Sequence, residues 1–191
     1  MLKVCRERIN VWRVERGWSG RSAAWDWLRR PGSLTAHLRQ LGEVNVEVLY
    51  EHCTVVDARA SVLGGKRPSV MWARDVVLRV DGRPAVVARS LVDAKDSAGA
   101  WQAIKGLQAR PLATILYNDP SVHRSSFEYC QLGMGHRLYR LARRIAPAYQ
   151  VQRLWARRSV FTRDGARLAV AECFLPWLYK CQPCAGQEGI H

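Results

Sequence analysis

"VMWARDVVLRVDGRPAVVARSLV", residues 70–92, is two β-rich runs on either side of an Asp-Gly pair. Asp-Gly between alternating runs is the strongest short-range hairpin signal, because Gly82 takes a positive φ without steric cost. The signature returns in "LWARRSVFTRDGARLAVAECFLP", residues 154–176, around Gly165. Two similar hairpins do not establish a repeat, but they commit the chain to an antiparallel sheet. Upstream, "EVNVEVLYEHCTVV" at 43–56 alternates Val44, Val46, Val48 and Tyr50 against polar partners, which predicts a half-buried strand.

Between the hairpins, "AGAWQAIKGLQARPLATILY" (98–117) and "SSFEYCQLGMGHRLYRLARRIA" (125–146) carry helical spacing, broken by Pro111 and the "NDP" turn at 118–120. Ahead of the sheet, "SAAWDWLRRPGSLTAHLRQLG" (22–42) reads as two short helices around "RRPGS", with Ser33 as cap and Gly42 as terminator of the second. A helical hairpin bearing arginines is also what a DNA-binding module offers, but any αα-hairpin has that pattern and packing is the simpler reading. The expected fold is a single-domain α+β structure, an antiparallel sheet of about six strands with helices over it.

The 191 residues, 48% of them hydrophobic, are enough for one domain with a real core. Lys and Arg number 30 against 16 Asp and Glu, a net charge of +14 that suits nucleic acid, an acidic membrane or small anions. Because the excess is arginine scattered along the whole length, the positive field is read as one for small anions, and no nucleic-acid partner is expected. No apolar run approaches the ~18 residues of a membrane span, and residues 1–18 lack the apolar middle of a signal peptide. A cytoplasmic protein is expected. The six cysteines, at 5, 53, 130, 173, 181 and 184, include one close pair, "CQPC". A zinc site wants a second knuckle or histidines, so free thiols and no metal are expected. Phosphate-loop, dinucleotide, serine-hydrolase and zinc-protease spacings do not occur, and no redox cofactor is called for.

Strand periodicity then isolates three charges. Trp72, Arg74, Val76, Leu78 and Val80 share one face; on the return strand Ala85, Val87, Arg89 and Leu91 share one. In "LAVAECFLP", Leu168, Val170, Glu172 and Phe174 point one way and the other face is apolar too. Arg74, Arg89 and Glu172 thus stand where a purely structural sheet wants aliphatics, and burying them is costly without partners. Either they pair with one another in the core, or they belong to a concave site in which arginine holds a carboxylate and glutamate meets a hydroxyl or a proton.

"GSLTAHLRQLG", "WARDVVLRVDGRPAVVARS", "RPLATILY", "LWARRSVF" and "AECFLP", in that order, resemble the chorismate pyruvate-lyase family. The likeness covers residues 22–179, leaving a basic N-terminal extension (1–21) and a C-terminal tail (180–191) outside. It implies a cofactor-free enzyme that converts chorismate to 4-hydroxybenzoate and pyruvate, the first committed step of bacterial ubiquinone synthesis, with the ligand enclosed beneath helical flaps. It also implies that Arg74 holds the ring carboxylate, that Glu172 meets the ring hydroxyl, and that main-chain groups at Leu34 and Leu112 contact ligand. Relatives often carry methionine at the position of Leu34, a change that a main-chain contact tolerates. Arg89 is assigned to the leaving carboxylate. A monomer is expected, with substrate and product as its partners. The alternative is a non-catalytic sensing domain of the GntR-regulator effector-binding type; such a regulator carries a winged-helix domain, for which residues 1–42 are too few.

Overall fold

Both Asp-Gly pairs sit at hairpin tips in the computed structural model, which describes residues 12–14, 23–57, 62–63 and 67–181. Asp81 and Gly82 have φ of 48° and 76°, and Asp164 and Gly165 have 50° and 75°. Positive φ at both central residues makes each a tight two-residue turn whose twist matches its strands. Seven strands follow from these hairpins and their neighbours: β1 (Val44–Val56), β2 (Ser69–Val80), β3 (Arg83–Asp93), β4 (His123–Arg124), β5 (Glu128–Leu132), β6 (Leu154–Arg163) and β7 (Ala166–Phe174). They form one antiparallel sheet in the order β1-β2-β3-β7-β6-β4, with β5 also paired to β6.

The helices are α1 (Ala24–Arg29), α2 (Leu34–Arg39), α3 (Ala113–Leu116) and α4 (Arg137–Ile145). Two helical expectations are corrected here. Residues 98–117 hold only short 3-10 turns and the four-residue α3, since Gly99, Gly106 and Pro111 interrupt any longer helix. The first half of 125–146 is the strand β5, whose Tyr129, Cys130 and Leu132 are buried against β6; only the second half is helix. Ser33 does cap α2, accepting a hydrogen bond from the Ala36 amide at 3.3 Å. Gly42 has a different task from the one expected: α2 ends at Arg39, and a side chain at 42 would meet the Asp81 carboxylate at 2.1 Å. That carboxylate accepts from the Glu43 amide at 2.8 Å and fastens β1 to the first hairpin tip.

The two hairpins differ in register. From Arg163↔Ala166 to Ala156↔Cys173 the second runs without a shift, which sets Arg157 opposite Glu172. The first slips: Arg79 pairs with Pro84 but Leu78 pairs with Val86, so Ala85 is an extra residue on β3. A bulge beside a proline, which has no N–H for the ladder, is a usual pairing. Beyond it Arg74 lies opposite Ser90, and Asp75 opposite Arg89. Residues directly opposite share a face, so Arg74 and Arg89 are on opposite faces of the sheet.

On the front face, α1 and α2 bury Trp25, Trp27, Leu28, Leu34 and Leu38 against Leu78, Val86 and Phe174 at one end. The segment from Trp101 to Leu116 packs on Trp72, Val92, Phe161 and Leu168 at the other. Between the two clusters lies the middle row of the sheet. On the back face α4, apolar at Leu138, Leu141 and Ala142, covers Val77, Val87, Ala156 and Cys173 as an amphipathic helix should. Beyond residues 22–179, Arg13 forms a bridge to Tyr129, and the Trp27 indole donates to the Cys181 carbonyl at 3.1 Å.

Candidate active site

The row left uncovered between the two front clusters is the floor of a cavity. Arg74, Val76, Ala88, Ser90, Val170, Glu172, Arg157 and Ser159 rise from four adjacent strands, while Leu34 and Thr35 of α2 and Leu112, Leu116 and Tyr117 around α3 close it from above. Counted out to its mouth, with the open solvent there included, the space is about 630 Å³. Arg74, Glu172, Leu34 and Leu112 therefore meet in one place. Arg89 does not: it is on the back face, its Nη1 3.6 Å from Asp75. The unread bulge at Ala85 is the reason, because a one-residue slip sends every later side chain of the strand to the other face.

Arg74 is 2% exposed. Its Nε donates to Glu51 at 2.9 Å and its Nη2 to the carbonyls of Gln108 at 2.5 Å and Arg110 at 3.4 Å. Gln108 has φ of 49°, an uncommon conformation for a residue with a side chain, and its carbonyl is the one held at 2.5 Å. Burial lowers the Arg74 pKa and the Glu51 carboxylate opposes that shift; a guanidinium stays charged in either case. Its Nη1 has no protein acceptor among the described residues, so a ligand carboxylate has N–H groups to bind.

Glu172 is built as a counterpart. Its Oε2 accepts from Arg157 Nε at 2.5 Å, and Arg157 Nη1 donates to the carbonyls of Leu28 at 3.2 Å and Arg30 at 2.8 Å. The Arg157 guanidinium lies 4.2 Å from the Phe127 ring centroid and 5.5 Å from that of Phe174. Glu172 Oε1 has no hydrogen-bond partner among the described residues. Each buried arginine thus ties the sheet to one flap, Arg74 to the 108–110 segment and Arg157 to the 28–30 segment. The flaps are also fastened to each other. Tyr117 donates to the Gly32 carbonyl at 2.6 Å and accepts from Arg124 at 3.0 Å. Desolvation of the Tyr117 hydroxyl raises its pKa, against the pull of Arg124, so it carries its proton at neutral pH.

The expected core pairing of Glu172 with Arg74 or Arg89 is not the one that forms. Arg74 has Glu51, Arg89 has Asp75, and Glu172 has Arg157. Glu51 and Arg157 were not singled out from the sequence. Counting outward from the Asp164–Gly165 turn places Arg157 opposite Glu172 and would have found it; Glu51 lies beyond the irregularity between Val48 and Tyr50, and no such count reaches it. Among the described residues Cys53, Cys130, Cys173 and Cys181 are free thiols, and no three His, Cys, Asp or Glu side chains gather as metal ligands. Cys184 and the rest of the tail lie outside the described residues, as does most of the N-terminal extension. No described helix is long and apolar enough to cross a membrane.

A family model described as chorismate lyase matches residues 10–183. A probable chorismate pyruvate-lyase of Bordetella avium is 46% identical over 153 residues, covering 78% of this chain and 75% of the relative. Its counterpart in Bordetella pertussis is 47% identical over 154 residues, covering 78% and 80%. Among solved structures, a GntR-family transcriptional regulator from Bacillus cereus superposes with a TM-score of 0.53 at 10% identity, over 74% of this chain and 97% of that one. The effector domain of PhnF from Mycobacterium smegmatis gives 0.51 at 13%, over 76% and 89%. These structures share the antiparallel fold; at such identities the likeness carries no more than that.

Proposed function

Since the chain belongs to the chorismate lyase family, we infer that it converts chorismate to 4-hydroxybenzoate and pyruvate, the entry to ubiquinone synthesis. Chorismate is a dianion with a ring carboxylate, a ring hydroxyl and an enolpyruvyl ether on the carbon next to the hydroxyl-bearing one. In the reaction the ring C–O bond breaks and its electron pair leaves with the enolpyruvate oxygen. The hydrogen on the hydroxyl-bearing carbon departs as a proton, its pair completes the aromatic ring, and the enolate takes up a proton to become pyruvate. Aromatisation drives the step, so the protein's tasks are to hold the ring, balance the charge and exclude water.

Arg74 takes the ring carboxylate through Nη1, and Glu172 takes the hydroxyl through Oε1. The observation that supports these roles is their placement. Arg74 and Glu172 are two strands apart and two residues apart along them, roughly 10 Å by 7 Å in Cα position, so their side chains converge on a space that a single ring with groups at opposite ends can bridge. Main-chain groups at Leu34 and Leu112, at the starts of α2 and α3, complete the enclosure. The enzyme is taken to act as a monomer, and the free thiols among the described residues are in keeping with a cytoplasmic setting. The likeness to GntR effector domains is one of fold and favours no separate sensing role.

The test is Arg74→Lys, assayed by appearance of 4-hydroxybenzoate and pyruvate from chorismate. A lysine ammonium cannot serve Glu51, the Gln108 carbonyl and a substrate carboxylate together. The expected loss is about 2–5 kcal/mol, roughly 30- to 4,000-fold in kcat/KM, with the protein folded. Near-normal kcat/KM removes Arg74 from the site.

A further inference from the structure

A dianion calls for two cations, and the arginines on the cavity wall are Arg74 and Arg157. With Arg74 given to the ring carboxylate and Glu172 to the hydroxyl, the position of the departing group follows from the substrate's connectivity. The enolpyruvyl ether is on the neighbouring ring carbon, so it lies beside Glu172, and Glu172 is bonded to Arg157. We infer that Arg157 is a catalytic residue, binding the carboxylate of the enolpyruvyl group and the charge that develops on it as the ring C–O bond breaks. This rests on the placement of the ring proposed above.

The side chain is built for such a task. Nε is held by Glu172, both acceptors of Nη1 are backbone carbonyls of the first flap, and Nη2 has no protein acceptor among the described residues. Phe127 and Phe174 limit its rotation, and at 1% exposure its field is little screened by water. Glu172 balances one positive charge, but Arg124, bonded to Tyr117 at 3.0 Å, adds a second, so this end of the cavity keeps a net positive charge for a leaving anion. Preorganised donors of this kind act most strongly where charge appears only in the transition state. Arg89, assigned to the leaving carboxylate from the sequence, cannot reach it from the back face.

The experiment compares ligands as well as variants. Calorimetry on the wild-type protein with 4-hydroxybenzoate, 3-(carboxymethoxy)-4-hydroxybenzoate and the 3-(methoxycarbonylmethoxy) ester of the latter, which keeps only the ring carboxylate, isolates the extra carboxylate. That carboxylate is expected to tighten binding at least tenfold over the ester, and the advantage to fall in Arg157→Lys. The same variant is expected to lose about 10²–10³-fold in kcat, while its affinity for 4-hydroxybenzoate, which lacks the departing group, stays within threefold. Equal losses in kcat and in 4-hydroxybenzoate affinity would assign Arg157 to holding Glu172 alone and overturn the inference. So would a wild-type protein that gains nothing from the added carboxylate, a result that needs no variant to fold. A wild-type protein that neither consumes chorismate nor binds 4-hydroxybenzoate would instead overturn the reading of function itself.

Discussion

The front and back of this sheet both bury arginine beside carboxylate, one strand residue apart, and the resemblance ends there. On the back, Asp75 is fully buried between Arg89 and Arg137, whose Nη2 approaches it at 2.7 Å, and α4 packs over them. On the front, Arg74 and Arg157 are as buried as Asp75 is, but their partners Glu51 and Glu172 keep 30% and 17% of their side chains exposed. On the back, Asp75 Oδ1 and Arg89 Nη1 also lack hydrogen-bond partners among the described residues, but both atoms are sealed from solvent. The front pairs leave Nη1 of Arg74 and Oε1 of Glu172 without protein partners, each facing a cavity built between two hydrophobic clusters. Burial alone does not separate a structural charge from a functional one; what the remaining polar atoms meet does.

The strongest test of that contrast is Asp75→Ala. Removing the carboxylate leaves Arg89 buried and uncompensated, a change that typically costs about 3–5 kcal/mol. For a chain of this size that is a fall in Tm of roughly 6–20 °C, read by thermal and urea unfolding. Turnover per folded molecule is expected to stay within about twofold. A variant with unchanged Tm and lost turnover would make the back face part of the site and erase the distinction.

Why the sequence separated the faces only in part follows from the two hairpins. Both Asp-Gly turns were legible, because positive φ at two successive residues leaves little choice of residue type. The second hairpin has no bulge, so Glu172 was placed on its true face and Arg157 was within reach of the same count. In the first, Pro84 hints at a weak ladder, but whether the chain absorbs an extra residue there depends on packing under Phe174 and Trp177, and the Trp177 indole donates to the Pro84 carbonyl. Arg89 was lost to the wrong face for that reason. The β5 segment has helical spacing in the sequence, at Phe127, Cys130 and the later leucines; its pairing with β6 is a tertiary contact that outweighs local propensity.

Glu172→Gln sharpens the comparison from the front. A carboxylate already committed through Oε2 to Arg157 is better placed to orient a hydroxyl than to take a proton from carbon. Replacing a charged acceptor by a neutral one is expected to lower kcat/KM about 10- to 100-fold, the range for a hydrogen bond to a charged group. The fold should be kept, since the amide oxygen still accepts from Arg157. A loss near 10⁴-fold would point instead to general-base catalysis.

The smallest effect concerns the contact that holds the two front flaps together. The product 4-hydroxybenzoate keeps the carboxylate and the hydroxyl that Arg74 and Glu172 bind, so it leaves only when the flaps around Leu34 and Leu112 part. Tyr117 resists that motion through the Gly32 carbonyl and Arg124. Wild-type enzyme in a rapid-quench experiment is therefore expected to show a burst of 4-hydroxybenzoate close to one equivalent, followed by a slower steady state, with added product inhibiting competitively. Tyr117→Phe removes one hydroxyl and the two bonds it makes while leaving the ring in the wall. At about 0.5–1.5 kcal/mol for the one bond that joins the flaps, Tyr117 to Gly32, product dissociation should quicken roughly 2- to 12-fold in stopped flow, with a smaller burst and proportionately weaker product inhibition. If wild-type turnover is linear from the first cycle, chemistry and not opening is slow. If dissociation is unchanged in Tyr117→Phe, the flaps are held by the two arginines alone, and the front face owes its closure to the same pairs that bind the substrate.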